Sequence, residues 1–183
     1  MAVFFTSDTH FGHQAIIRHC NRPFTSIEKM DASLINRWNS VVAPEDTVYH
    51  LGDFCIRNER PLADYRLALN GEVHLIRGNH DDGLTEEDAE LFASVREIME
   101  IDLNGTMIVL CHYPMRAWHW NNRGSWHLFG HVHGRLDQAP LGYSLDVGVD
   151  SHGFRPWSLK EIEAVFAKRD NPFRRDGNQR PEK

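Results

Sequence analysis

The short apolar, β-rich runs of this chain keep ending on the same kind of residue. Ala2–Thr6 leads into Asp8-Thr9-His10, Thr47–Leu51 into Gly52-Asp53, and Glu72–Ile76 into Gly78-Asn79-His80-Asp81. Thr106–Cys111 delivers His112, and Trp126–Phe129 runs into Gly130-His131-Val132-His133. Open α/β sheets bind ligands beyond the carboxyl ends of their strands, so groups spread from residue 8 to residue 133 can meet on one rim.

Two further runs, Val95–Leu103 and Ser144–Val149, have strand composition, and Asn104-Gly105 predicts a two-residue hairpin. Between the runs lie segments of helical period. Thr25 with Glu28 reads as a capping box ahead of Met30, Leu34, Trp38 and Val41. Pro61 opens a stripe of Leu62, Tyr65 and Leu69 that Asn70-Gly71 stops. Thr85 with Asp88 starts a short helix reaching about Phe92, and Ser158 with Glu161 precedes Leu159, Ile162 and Phe166. Strands that first alternate with helices and then succeed one another predict an α/β layered domain, with a mixed sheet and helices on both faces.

The chain has 183 residues, the length of one domain on a prior of about 150. The domain is expected to span 1–167. From Lys168 the pattern stops, and 168–183, with six basic residues against three acidic, reads as a flexible basic tail. A net charge of −6 argues against a protein held on nucleic acid mainly by neutralising phosphates. The longest apolar run, Met107–Cys111, falls far short of the roughly 20 residues of a membrane span. No basic-then-apolar leader precedes Val3, so the cytoplasm is the expected compartment. Three cysteines without a C-x-x-C pair indicate neither a disulfide framework nor a structural zinc site. Histidine, at twelve residues, is the unusual component and invites a metal.

Spacing sharpens that invitation. Asp8 with His10, and His131 with His133, are i, i+2 pairs that extended backbone projects to one side, whereas Cys111 should point away from His112 as a buried neighbour. Gly52, Gly78 and Gly130 precede the polar groups, where a turning backbone or a close approach favours them. The candidate ligands are Asp8, His10, Asp53, Asn79, His112, His131 and His133. Oxygen and nitrogen donors without sulfur suit Mn, Fe, Zn, Ni or Co better than copper(I) or an iron–sulfur cluster. Seven donors exceed the needs of one four-coordinate ion, so two divalent ions sharing a carboxylate are the natural count.

In order and spacing, Asp8-x-His10, Gly52-Asp53, Gly78-Asn79-His80-Asp81, His112 and Gly130-His131-x-His133 resemble the signature of the calcineurin-like metallophosphoesterases, in a compact bacterial or phage-type branch. The resemblance implies a four-layer α/β/β/α sandwich of mixed sheets with metals at the strand ends. It implies that Asp8, His10 and His133 hold the first ion, that Asn79, His112 and His131 hold the second, and that Asp53 bridges them. It implies Mn²⁺ as the first choice, with Fe, Zn, Ni, Co or Mg as alternatives. It further implies hydrolysis of phosphate esters by a hydroxide held between the ions, attacking phosphorus in line. His80 is the expected proton donor to the leaving group, and Asp81 the residue that orients it.

On the substrate side, His13 and Arg116 are candidates for contact with the phosphate ester. Trp118 and Trp120 either stack on the substrate or pack their own loop. His50 is expected to support the bridging Asp53, and His19, His74 and His152 to be structural. The expected partner is a small phosphodiester such as a cyclic nucleotide, with no membrane and nucleic acid disfavoured. The alternatives are a phosphomonoesterase, a nuclease, or a non-catalytic scaffold of the same fold. Oligomeric state stays open.

Overall fold

The computed structural model describes residues 1–56 and 60–174. Along the described chain run β1 (Val3–Thr6), α1 (Ile16–His19), α2 (Ile27–Asn39), β2 (Thr47–His50), α3 (Leu62–Arg66), β3 (Glu72–Ile76) and α4 (Glu86–Ala89). They are followed by β4 (Ser94–Arg96), β5 (Ile98–Leu103), β6 (Thr106–Cys111), β7 (Trp126–Phe129), β8 (Ser144–Asp146), β9 (Trp157–Ser158) and α5 (Leu159–Phe166). One sheet has the order β4-β3-β2-β1-β9 and the other β5-β6-β7-β8. Both are mixed: β1 to β4 are parallel with β9 antiparallel at one edge, and β6 to β8 are parallel with β5 antiparallel.

The hydrophobic pattern divides the core in two. Phe4, Val48, Val73 and Leu75 pack with Met30, Leu34 and Trp38 of α2 and with Leu62 and Tyr65 of α3 on one face of the first sheet. Phe5, Leu51 and Ile76 face the other way and meet Ile108, Leu110, Leu128 and Leu145 of the second sheet, with Ile162 and Phe166 of α5 joining this core. Each large aliphatic or aromatic side chain so buried contributes about 1.5–3 kcal/mol.

The outer face of the second sheet carries a different layer. His127 and Phe129 alternate with the inward Leu128. Over them lies the loop after His112: the Met115 N–H donates to His127 Nε2 at 3.1 Å, and the Trp118 ring sits 5.4 Å from His127. An aromatic loop thus packs on this face of the second sheet. Trp118 is buried there, its indole N–H donating to the Ser125 carbonyl.

Several local expectations shift. The run Val95–Leu103 is two strands, because the chain leaves the first sheet after Arg96 and enters the second at Ile98. Ser26, not Thr25, caps α2, its hydroxyl accepting from the Lys29 N–H. The capping boxes at Thr85–Asp88 and Ser158–Glu161 both form. Asn104 and Gly105 both take positive φ, the geometry of a two-residue hairpin turn joining β5 to β6.

The expected flexible tail is packed as far as it is described. Arg169 donates to the carbonyls of Ser144 and Gly142, Asn171 to the carbonyl of Asn121, and Phe173 meets the Trp118 ring at 5.3 Å. The remainder of that tail, 175–183, lies outside the described residues. No helix among the described residues is long and apolar enough to cross a membrane.

Candidate metal centre

β1, β2 and β3 run parallel and in adjacent register, Thr6 opposite His50 and His50 opposite Leu75, so their carboxyl ends deliver Asp8, Asp53 and Asn79 side by side. β6 and β7 do the same for His112 and His131 from the second sheet. Leaving a strand sharply costs backbone strain, and it collects here. Asp8, His10, Asp53, His131 and His133 all adopt positive φ, between 50° and 70°. Left-handed conformations of this kind cost about 1–3 kcal/mol each and persist only where surrounding contacts over-determine them.

Those contacts are specific. The Asp8 carboxylate accepts the His131 N–H at 2.9 Å, tying the end of β1 to the end of β7. Gly130 has to lack a side chain, because a Cβ there would run into Ser7 Oγ and Asp8 Oδ2. Gly52, at φ +95°, presses against Gly78 and the His112 ring, where a Cβ would lie 2.5 Å from the Gly78 nitrogen. His50 accepts the Gly52 N–H on Nδ1, so its Nε2 carries the proton and donates to Thr9 Oγ1, whose own hydroxyl donates to the Phe54 carbonyl. Burial pushes this imidazole down to about 3, which keeps it neutral. His50 therefore supports the loop around Asp53 through Gly52 and Thr9 rather than through the carboxylate.

All seven expected ligands lie in one cluster, and within it Asp8, His10 and His133, and Asp8, Asp53 and His112, are grouped closely enough to hold a metal ion. Asp53 turns Oδ2 toward His10 Nε2 at 3.4 Å and Oδ1 toward His112 Nε2 at 3.6 Å, one oxygen to each side. His10 Nε2 and His133 Nε2 lie 3.9 and 3.8 Å from Asp8 Oδ1. Donors that share an ion at about 2.1 Å stand roughly 3–4 Å from one another. Asn79 Oδ1 is 3.1 Å from His112 Nε2 and 2.9 Å from His131 Nδ1. His112 donates from Nδ1 to the Leu51 carbonyl at 2.7 Å, which leaves Nε2 as the free donor atom.

The residues fit divalent metal. His10 Nε2 is buried without a hydrogen-bond partner while it faces two carboxylates. Burial, followed by the charge of Arg22, holds this imidazole far below its usual range, so it presents a lone pair. Burial also raises the Asp8 carboxyl to about 8 despite the pull of His133, with Asp146 and Asp53 adding to the rise. Negative charge here calls for a cation.

The other predicted residues fall into three positions. His80 lies exposed at the rim, its ring 5.2 Å from His10 and 5.8 Å from His13, and its N–H donates to Asp53 Oδ1. His13 is in the same cluster, its Nδ1 3.3 Å from His10 Nδ1. Asp81 does not orient His80. Its buried carboxylate accepts the N–H groups of Gly78, Asp53 and Phe54, so it holds the backbone around the bridging residue; burial raises it to about 6 against those bonds. Arg116 lines an apolar cavity of about 430 Å³ with Met115, Phe129, Leu136 and Leu141, and none of the seven ligands borders it. Of the tryptophans, Trp118 is buried in the sheet layer and Trp120 carries the Arg123 guanidinium over its ring at 5.2 Å.

His152 stacks on Trp157 at 3.6 Å, and His74 stacks on Tyr49 while bonding Ser94, both away from the site.

Three further residues of the site carry no individual role in the sequence reading. Tyr113, exposed, sets its ring 4.9 Å from His131 and 5.0 Å from His112. Asp150 accepts from His133 Nδ1 at 2.7 Å, and Arg22 grips Asp150 through two nitrogens. Burial works against the Asp150 charge, yet His133 and Arg22 hold its carboxyl below the usual range. Asp150 follows directly on the run Ser144–Val149, the same strand-into-acid signal that marked Asp8 and Asp53.

This arrangement matches known proteins over most of its length. Residues 1–143 match the calcineurin-like phosphoesterase superfamily domain. The uncharacterised protein MJ1445 of Methanocaldococcus jannaschii is 36% identical over 173 residues, covering 91% of this chain and 92% of its own. The gene 66 protein of Mycobacterium phage L5 is 27% identical over 180 residues, covering 81% and 86%. Among solved structures, the protein of unknown function AQ665 from Aquifex aeolicus superposes with a TM-score of 0.71 at 25% identity, over 90% of this chain and 98% of that one. Fold, motif order and ligand geometry agree with that match, and the chain belongs to the calcineurin-like phosphoesterase superfamily.

Proposed function

We propose that the protein is a divalent-metal-dependent phosphodiesterase acting on small phosphodiesters, cyclic nucleotides among them, with Mn²⁺ as its first metal. The observation that carries this reading is Asp53, whose two oxygens face His10 on one side and His112 on the other. Two divalent ions, when bound, supply positive charge to phosphoryl oxygens and acidify a water.

The chain's own residues do the rest. Asp8, His10 and His133 would hold one ion, and Asn79, His112 and His131 the other, with Asp53 common to both. Asn79, His80 and His131 are exposed, so the rim that receives substrate is their edge of the site. His80, within reach of the His10 and Asp53 donor atoms, is placed to hold a proton on its ring for the departing alkoxide. Asp81 keeps Asp53 and Gly78 in position while that happens. His13 stands beside His80 as a polar wall for the ester.

Hydrolysis of bis-p-nitrophenyl phosphate and p-nitrophenyl phosphate tests the reading, with Mn²⁺ or with chelator. The expected result is Mn²⁺-dependent release from the diester, lost in Asp53→Asn together with bound metal. Release from the monoester alone would replace the diesterase by a phosphatase. Silence on both esters in protein loaded with two ions would sink the catalytic reading.

A further inference from the structure

Arg22 is a buried arginine, 4% exposed, in the segment Asn21-Arg22-Pro23-Phe24. A guanidinium has five N–H donors, and an interior site must satisfy them or lose stability. Arg22 spends all five. Nε donates to Asp150 Oδ1 at 2.8 Å, and Nη2 to Asp150 Oδ2 at 2.8 Å and to the Asp8 carbonyl at 2.6 Å. Nη1 donates to the Thr9 carbonyl at 3.0 Å and to Met30 Sδ at 3.5 Å. The two carbonyls belong to the turn that holds Asp8 and His10 at positive φ. The carboxylate belongs to the residue that holds His133.

His133 has two nitrogens and two competing neighbourhoods. Nδ1 meets Asp150 Oδ2 at 2.7 Å, near Cys20, whereas Nε2 faces Asp8. A carboxylate fixed on Nδ1 commits that nitrogen to carrying the proton and leaves Nε2 as the ligand atom, and it makes the imidazole a stronger donor. Among the described residues the other site histidines lean on other groups: His112 on a backbone carbonyl, His10 on the His13 ring and His131 on the Asn79 amide oxygen.

We propose that Arg22 and Asp150 are the positioning pair of the metal centre, Arg22 fixing both the Asp8–His10 turn and Asp150, and Asp150 fixing His133 so that Nε2 binds the ion it shares with Asp8 and His10. The proposal rests on the reading of these residues as a two-ion site. It assigns the pair to one ion only, because no bond from either residue reaches Asn79, His112 or His131 among the described residues.

Substitution with ¹¹³Cd²⁺ gives a readout independent of turnover. The wild-type protein should show two ¹¹³Cd resonances, one of them coupled to the His133 Nε2. In Asp150→Asn that resonance should shift, and Mn²⁺ titration should show one of two sites weakened by about 10–100-fold, the usual cost of losing a ligand's supporting partner. Arg22→Lys, which keeps the charge but loses the five-point grip, should weaken the same site and spare the other. Equal weakening of both sites would assign the pair a general structural role and overturn the proposal, and so would unchanged affinities.

Should neither variant fold, the wild-type spectrum decides alone: coupling of ¹¹³Cd to His133 Nδ1 would place the ion on the Cys20 side and refute the assignment. Failure of the wild type to bind two ions would instead count against the metal-centre reading itself.

Discussion

His80 and Gly130 show the two ways in which a single residue serves this site. His80, exposed and tied to Asp53 Oδ1 through its backbone N–H, is the proton donor proposed above. His80→Ala should leave Mn²⁺ content near wild type and lower kcat on the diester by about 10²–10⁴-fold, the usual worth of general acid catalysis. Wild-type turnover in a variant with full metal would remove His80 from the chemistry. Gly130 serves by lacking a side chain, while its N–H donates to the His112 carbonyl. Ser7 Oγ is already bonded to the Leu51 carbonyl, and Asp8 to the His131 N–H, so neither atom can step aside for a methyl group. Gly130→Ala should cost about 1–3 kcal/mol of stability, as overpacking does, and reduce metal affinity in the same variant. Equilibrium unfolding and Mn²⁺ titration measure the two effects.

The residues that carry the site were legible because strand ends and metal donors coincide. Asp8, Asp53, Asn79, His112 and His131 each follow a run whose composition already announces a strand. Asp150 obeys the same rule, but it lies outside the motif that drew attention to the others. Arg22 carries no motif signal, since its value comes from joining the nearby carbonyls of Asp8 and Thr9 to Asp150, 128 residues away in sequence. The family resemblance pairs Asp81 with His80, whereas its short side chain is directed at three backbone N–H groups.

At the scale of elements, propensity and capping located most strands and helices, and failures arose where tertiary pairing decides. β9 is two residues long, too short for any periodicity, and exists because Phe4 and Phe5 offer it an edge. The Val95–Leu103 run has the composition of one strand, yet Glu97 divides it between sheets.

β7 permits a prediction that belongs to an element. His127 donates to the Val109 carbonyl and accepts the Met115 N–H, so the neutral ring pins the aromatic loop to the sheet; burial pushes it down to about 4. The unfolded chain takes up a proton there below about pH 6.5 and the folded chain does not, so stability present above that pH is lost as pH falls toward 4. The slope is up to about 1.4 kcal/mol per pH unit for this group. His127→Phe should flatten the fall of Tm between pH 6.5 and 4.5 relative to wild type. An unchanged slope would show that the ring is protonated in the fold.

For the molecule as a whole, the candidate ligands are drawn from both sheets, so an ion held by them as proposed would tie one sheet to the other. Binding only to the folded state stabilises by about 2.7 kcal/mol at 100 times Kd. In a domain of this size that raises Tm by roughly 5–10 °C. Calorimetric scans with Mn²⁺ and with chelator should differ by that amount; the difference should vanish in Asp53→Asn, which loses metal, and shrink in Gly130→Ala, which binds it more weakly. Equal Tm values in the two scans would mean that the ions do not join the sheets.

The position of β1 between β2 and β9 also sets an order of events during synthesis. Asp8 and His10 are synthesised ahead of His133, which follows more than 120 residues later. Even then β1 has an open edge, because Phe4 and Phe5 wait for Ser158 and Trp157. A nascent chain therefore holds all seven candidate metal donors before it can close the strand that leads to the first of them, and that bare edge is the surface open to pairing with a neighbouring chain until Trp157 and Ser158 have been made.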